Sequence, residues 1–248
     1  MSVLKGEGKV VILYGTISIP SGPRAYSGYL ARPDLTGEWP TILLIPSAWG
    51  VTSSVKDLCR RLARQGFAVL APDVFRGSGP TRSAARNDAE TALAAISDDR
   101  VLGELEAVID FIANPAGFWS SGGRGFGVLA LGSGGRLASL VAGRSALVAA
   151  LALVGPHLPA EGNGAGTADL QLASEIPVLG FSGREDDTAP PTAVAAVREA
   201  VRQAEWVIYD GAGANYWDDY LPSYDVEIVA DTWDRLAAFF ERHLPDAP

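Results

Sequence analysis

Cysteine, histidine and long apolar runs are what this chain has least of. Its 248 residues hold one cysteine, Cys59, and two histidines, His157 and His243. One thiol cannot close an internal disulfide. Cys59 falls in the run Val55-Lys-Asp-Leu-Cys-Arg-Arg-Leu-Ala, where apolar residues recur three and four apart, and this spacing predicts a buried, inert thiol on a helix. The longest apolar run, Leu147 to Val154, is far shorter than the roughly 20 residues a membrane-spanning helix needs. The first residues, Met-Ser-Val-Leu-Lys-Gly-Glu-Gly-Lys, contain no apolar region of secretory length, so a cytoplasmic location is the expectation. Basic residues are also scarce: 20 Lys and Arg against 29 Asp and Glu leave a net charge of -9. Nucleic acid and anionic lipid are bound chiefly through clustered Lys and Arg, so neither is an expected partner.

The hydrophobic share of 48% with 20% charged residues is that of a globular protein with a sizeable core. The length suits one α/β domain, and the sequence shows no internal repeat and no linker. Short apolar runs bounded by Gly and Pro alternate with longer segments of helical period, the pattern of a parallel sheet with crossover helices. Val10–Tyr14 and Tyr26–Leu30 read as an antiparallel N-terminal ribbon. Thr41–Ile45, Ala68–Ala71, Val128–Leu131, Leu147–Val154, Pro177–Phe181 and Trp206–Tyr209 read as buried strands. Helices are expected near 54–65, 100–113, 134–142, 192–203 and 226–243, the last with Trp233, Leu236, Phe239 and Phe240 on one face. The glycine-rich stretch at 160–167 reads as a loop.

In an open parallel sheet, ligands bind beyond the carboxyl ends of the strands. Four such positions stand out: Pro46-Ser47-Ala48-Trp49-Gly50-Val51, Gly132-Ser133, Ser182 to Pro190 with Asp186 and Asp187, and Asp210 to Trp217 with Ala214 and Tyr216. The segment from Gly127 through Gly132-Ser133-Gly134-Gly135 resembles the strand, sharp turn and helix that present the reactive residue in α/β-hydrolases.

Several local matches, in order and spacing, extend this likeness along nearly the whole chain. They are Gly-Tyr-Leu-Ala-Arg-Pro at 28–33, Trp49-Gly50-Val51, the run from Arg61 through Ala-Pro-Asp-Val-Phe75, Gly134-Gly135, the Gly183 to Pro190 loop, Gly211-Ala-Gly213, and the closing Trp-Asp-Arg-Leu-Ala-Ala-Phe-Phe-Glu-Arg-His-Leu244. On these the chain resembles the dienelactone hydrolase family. The resemblance implies a single α/β-hydrolase domain over 1–248, with a mostly parallel twisted sheet, helices on both faces and an antiparallel N-terminal strand pair. It also implies a Cys or Ser nucleophile, a His base, an orienting Asp and, in some members, a Glu near the first parallel strand.

This sequence departs from that pattern at most of these positions. By resemblance the nucleophile falls on Gly132, the histidine on Ala214 and the glutamate on Ser47, while a substrate-binding arginine falls near Asp218. The acid survives as Asp186. Two registers of the turn are open: Gly132 at the tip has the small neighbours Ala130 and Gly134 two residues either side, whereas Ser133 at the tip has Leu131 and Gly135. A serine nucleophile needs a base to take its proton. His243 reads as a solvated helix end, and His157, which follows the strand ending at Val154, is the histidine on the ligand-facing edge.

Asp186, Asp187, Asp218 and Asp219 lack metal-ligand spacing, and Gly132 to Gly135 carries no phosphate-loop or dinucleotide fingerprint, so neither a metal nor another cofactor is expected. Trp49, Tyr216, Trp217 and Tyr220 fall after strand ends, where they would line an apolar pocket. The backbone N–H groups of Ala48 and Ser133 occupy the oxyanion-donor positions by resemblance. The leading expectation is a family member that binds a small carbonyl compound or a protein partner without triad hydrolysis. The alternatives are a hydrolase of small esters or lactones using Ser133, Asp186 and His157, and a non-hydrolytic isomerase or cyclase using the same pocket. A monomer or homodimer fits either.

Overall fold

The computed structural model describes residues 10–21, 24–73, 91, 98–115, 119–158 and 175–244. Its architecture is α/β, with eight strands, mostly parallel, and helices in the connections. Two compact units divide the chain, Gly6–Phe126 and Gly127–His243.

The first unit holds β1 (Ile12–Ser21), β2 (Arg24–Pro33), β3 (Thr41–Ile45), β4 (Ala68–Pro72), α1 (Ser53–Arg64) and α2 (Asp98–Ala113), with strand order β1-β2-β4-β3. β1 and β2 form the expected antiparallel ribbon, with Ile12 opposite Pro33 and Ser21 opposite Arg24. The ribbon is longer than the apolar runs suggest. Its outer strand is largely solvent-facing, with Thr16, Ser18 and Pro20 exposed, Ile17 half-buried and Ile19 buried, so Thr16 and Ser18 belong to the strand although they interrupt the apolar pattern. β2 also pairs antiparallel with β4, Leu30 opposite Leu70, and β3 pairs parallel with β4, Ile42 opposite Val69. Every residue of β3 and β4 is buried, as their unbroken apolar sequence requires.

Thr52 caps α1, its hydroxyl accepting from the Val55 N–H at 3.4 Å. Arg61 and Arg64 in the last turn complement the helix dipole. Val55, Leu58, Cys59, Leu62 and Ala63 form the buried face, so Cys59 is where its helical spacing placed it. Burial pushes its thiol up to about 12, more than the nearby Arg60 charge lowers it.

The second unit holds β5 (Phe126–Leu131), α3 (Gly135–Arg144), β6 (Val148–Val154), β7 (Val178–Glu185), α4 (Pro191–Ala200), β8 (Ala204–Gly213) and α5 (Val226–His243), with strand order β5-β6-β7-β8. β6, β7 and β8 pair in parallel, Leu153 beside Gly180 and Phe181 beside Val207. β7 and β8 run past the apolar cores that predicted them, because their backbones close up around polar residues. A β-carbon on Gly183 would lie 2.0 Å from the Ala212 carbonyl oxygen, a separation that requires glycine, and the Trp206 indole N–H donates to Ser182 Oγ at 3.0 Å.

The Asp225 carboxylate caps α5, accepting from the N–H groups of Glu227 and Ile228 at 2.9 and 3.0 Å. The predicted apolar face of this helix is buried at Trp233, Leu236, Phe239 and Phe240, against β6 and β7. The stretch 160–167 and the family match at residues 74 and 75 lie outside the described residues. Among the described residues, no helix is long and apolar enough to cross a membrane.

Candidate functional site

β5 ends at Leu131 in extended backbone, and the chain turns at once into a 3-10 segment, Gly132–Gly134, that leads into α3. Gly132 has φ +52°. This left-handed conformation costs a residue with a β-carbon about 1–2 kcal/mol, and glycine adopts it freely. The strained tip therefore falls on Gly132 and not on Ser133, which lies half-buried inside the 3-10 turn. Gly135 opens α3 against the loop that follows β6: a β-carbon there would stand 3.0 Å from Pro156 Cβ.

That loop, Gly155-Pro156-His157, connects the other positions of interest. The Gly155 N–H donates to the Phe181 carbonyl at 2.8 Å, and the Leu158 N–H to the Thr188 carbonyl at 2.8 Å, which ties the loop to the end of β7 and the acid turn beyond it. In that turn Asp186, 2% exposed, accepts from both the N–H and the hydroxyl of Thr188 at Oδ1, at 2.8 and 2.6 Å. Its other oxygen, Oδ2, is buried and has no hydrogen-bond partner. The indole Nε1 of Trp217 is likewise buried and unpartnered. Both atoms border Gly155: an ideal β-carbon on that residue would lie 3.5 Å from Trp217 Nε1 and 3.8 Å from Asp186 Oδ2.

His157 is half-buried and does not reach the free oxygen of Asp186. His243 ends α5 with its ring 4.9 Å from that of Phe239; burial, then the Arg242 charge, lowers its pKa, with Glu205 opposing. Ala214 follows β8, offering a methyl group at the position the resemblance gives to histidine, and its carbonyl accepts from Ser223 Oγ at 3.0 Å. Asn215, next in the chain, has φ +57°. Asp218 is buried and accepts from the Tyr220 N–H at 3.2 Å, so this carboxylate shapes the turn after β8.

The four aromatics divide. Tyr216 has no exposed surface, its hydroxyl lies 3.1 Å from Thr232 Oγ1 and its ring meets Tyr209 edge-on at 5.8 Å. These are the contacts of a core residue, and burial, with the Asp186 charge among the lesser causes, raises its phenol above the ordinary range. Trp217 is buried beside Asp186, whereas Tyr220 is 65% exposed. In the first unit, Ser47 and Ala48 are buried and Trp49 is half-buried in a turn closed by the Gly50 N–H on the Ser47 carbonyl at 2.8 Å. Asp187 is exposed.

The sequence had no role for Thr188 or Gly155. Thr188 is recoverable from Asp186-Asp-Thr188, since an Asp commonly accepts from the backbone two residues on. Gly155 announces itself only as a Gly-Pro punctuation after a strand, and nothing local says which side chains close around it.

The dienelactone hydrolase family model matches residues 26–244. The chain is 30% identical over 246 residues to a protein of Escherichia coli O157:H7 named "Putative carboxymethylenebutenolidase", covering 94% of this chain and 88% of the other. A protein of Methylorubrum extorquens with the same name is 28% identical over 241 residues, covering 94% and 82%. Among solved structures, a "Putative Dienelactone Hydrolase" of Klebsiella pneumoniae superposes with a TM-score of 0.80 at 27% identity, covering 94% of this chain and all of that one.

Proposed function

The chain belongs to the dienelactone hydrolase family, and from that premise we propose that it binds a small, partly apolar lactone or ester without hydrolysing it through a nucleophile–histidine–aspartate triad. The observation that carries this reading is the unpartnered Oδ2 of Asp186. An orienting aspartate works by holding the ring N–H of a histidine. Here the residue that resemblance assigns to the base is Ala214, and the histidine after β6, His157, does not supply the missing hydrogen bond.

The turn after β5 supports the same reading. Its left-handed residue is Gly132, which has nothing with which to attack a carbonyl, and the hydroxyl of Ser133 belongs to the next position. The ligand class follows from the relatives, whose names specify a butenolide, an unsaturated five-membered lactone, bearing a carboxymethylene group.

Hydrolysis of p-nitrophenyl acetate tests the proposal. Wild type and Ser133→Ala are expected to give the same rate as buffer with an inert protein; a wild-type rate well above that background, abolished by Ser133→Ala, would establish Ser133 as a nucleophile and overturn the reading. The double variant Gly132→Cys with Ala214→His should create esterase activity. If it folds and stays inactive, the assignment of Gly132 and Ala214 to the reactive positions is wrong.

A further inference from the structure

A sheet edge that ends in unpaired backbone groups invites another strand, and proteins commonly guard such edges with charge, proline or a bulge. The two strands that end the strand orders differ in this respect. β8 carries the exposed acids Glu205 and Asp210, and its register with β7 shifts between Gly183 and Glu185. β1 has no charged residue in Ile12–Ser21 and, among the described residues, pairs with β2 alone. Leu13 and Tyr14 on this strand are 44% and 59% exposed.

Which backbone groups of β1 are open follows from its ladder. The Asp34 N–H donates to the Val11 carbonyl at 2.8 Å, one step beyond the Ile12–Pro33 pair. Backbone groups alternate sides along an antiparallel strand, so Leu13, Gly15, Ile17 and Ile19 direct theirs at β2, and Ile12, Tyr14, Thr16 and Ser18 direct theirs outward. The inner strand agrees: Ser27, opposite Ser18, gives its carbonyl to the N–H of Asp73, just past β4, at 2.9 Å. Pro20 is the next outward position and has no N–H, so the open row ends at Ser18.

We propose that this edge joins a second copy of the chain, the two β1 strands pairing antiparallel about a two-fold axis at Gly15. The open row is symmetric about that residue. Tyr14 faces Thr16 of the second copy and Ile12 faces Ser18, so the outward N–H and carbonyl groups of all four residues are matched. Gly15 faces Gly15 in a narrow pair, with Cα atoms about 4.5 Å apart. On one face of the sheet the exposed Leu13 meets Ile17 of the second copy. On the other, Tyr14, whose ring lies 6.4 Å from that of Tyr29 and 5.5 Å from the Arg60 guanidinium, meets Thr16. Chains of net charge -9 repel one another, and an uncharged strand is where two copies approach without setting like charges side by side. An unrelated extended peptide has no reason to match a row symmetric about a single glycine.

Light scattering coupled to gel filtration of the full-length protein should give twice the mass of one chain in concentrated solution. Gly15→Lys should return it to one chain: a side chain there meets nothing within 4 Å in the protomer but faces its own copy across the axis. Gly15→Cys should form an intermolecular disulfide under mild oxidation, because the facing Cα atoms lie within disulfide range, whereas Ser18→Cys, which faces Ile12, should not. The buried Cys59 does not compete. Non-reducing gels read the cross-link, and circular dichroism checks that each variant folds; should Gly15→Lys fail to fold, the two cysteine variants still decide. A wild-type mass of one chain at every concentration overturns the proposal. So does a dimer that persists in folded Gly15→Lys, or one in which Gly15→Cys does not cross-link.

Discussion

Thr188 donates twice to a single oxygen of Asp186, through its N–H at 2.8 Å and its hydroxyl at 2.6 Å. The pairing fixes the carboxyl plane and leaves Oδ2 as the open acceptor. The acid turn is thus built to point a carboxylate, whatever it points at.

Removing the hydroxyl alone should expose the value of this pairing. Thr188→Val preserves shape and the backbone donor, and a hydrogen bond to a carboxylate contributes about 1.5–3 kcal/mol. A loss of about 1–2 kcal/mol in urea-denaturation stability is expected, the retained N–H bond limiting it. A change indistinguishable from zero would mean that the hydroxyl does not hold Asp186.

Gly132 makes a different prediction, because its cost is conformational. At φ +52° a β-carbon is strained, so Gly132→Ser should destabilise by about 1–2 kcal/mol and gain no esterase activity without a base. Thermal melts and the p-nitrophenyl acetate assay report the two effects separately. A stabilised variant would show that the tip is not strained.

Cys59 should be silent. Thiolate is the reactive form, and a thiol raised to about 12 by burial is almost wholly protonated at pH 8. Native protein should not react with Ellman's reagent over hours, and one thiol per chain should appear on unfolding in guanidinium. Prompt native reaction would show that the helix face carrying Cys59 opens readily.

Acid should weaken the link between β8 and α5. Asp231 accepts from Tyr209 Oη at 2.7 Å and from Arg235 Nε at 2.6 Å. Burial alone would raise its pKa, but the hydrogen bonds of Arg235 and Tyr209 and the Arg235 charge together lower it. A carboxylate lowered in the folded state stabilises the fold above its unfolded pKa, about 3.9, and the contribution is lost as pH falls through the folded value. Asp231→Asn should therefore reduce stability at pH 7, by about 1 kcal/mol or less because the ion pair is half exposed, and the deficit should shrink below about pH 4. A deficit that persists at pH 3 would assign it to packing.

The strands buried on both faces were legible because such strands have no polar interruptions: Thr41–Ile45 was read residue for residue. The outer ribbon and the ends of β7 and β8 were read short, since a half-solvated strand, or one closed around Gly183 and Ser182, carries polar residues that local hydrophobicity scores as loop. Helix α5 was legible for the opposite reason, a full apolar stripe repeated over 18 residues.

The sequence by itself determined the α/β class, the family likeness and the buried thiol, because these depend on residue type and order along the chain. It could not separate Tyr216 from Trp217, adjacent aromatics in one turn. Only the tertiary structure turned Tyr216 into the core against Tyr209 and Thr232, and set the indole N–H of Trp217 beside Gly155 and the free oxygen of Asp186. Those partners lie about 30 and 60 residues away in the chain, on the ends of other strands, and the unmet hydrogen bonds between them exist only once the sheet has brought those ends together.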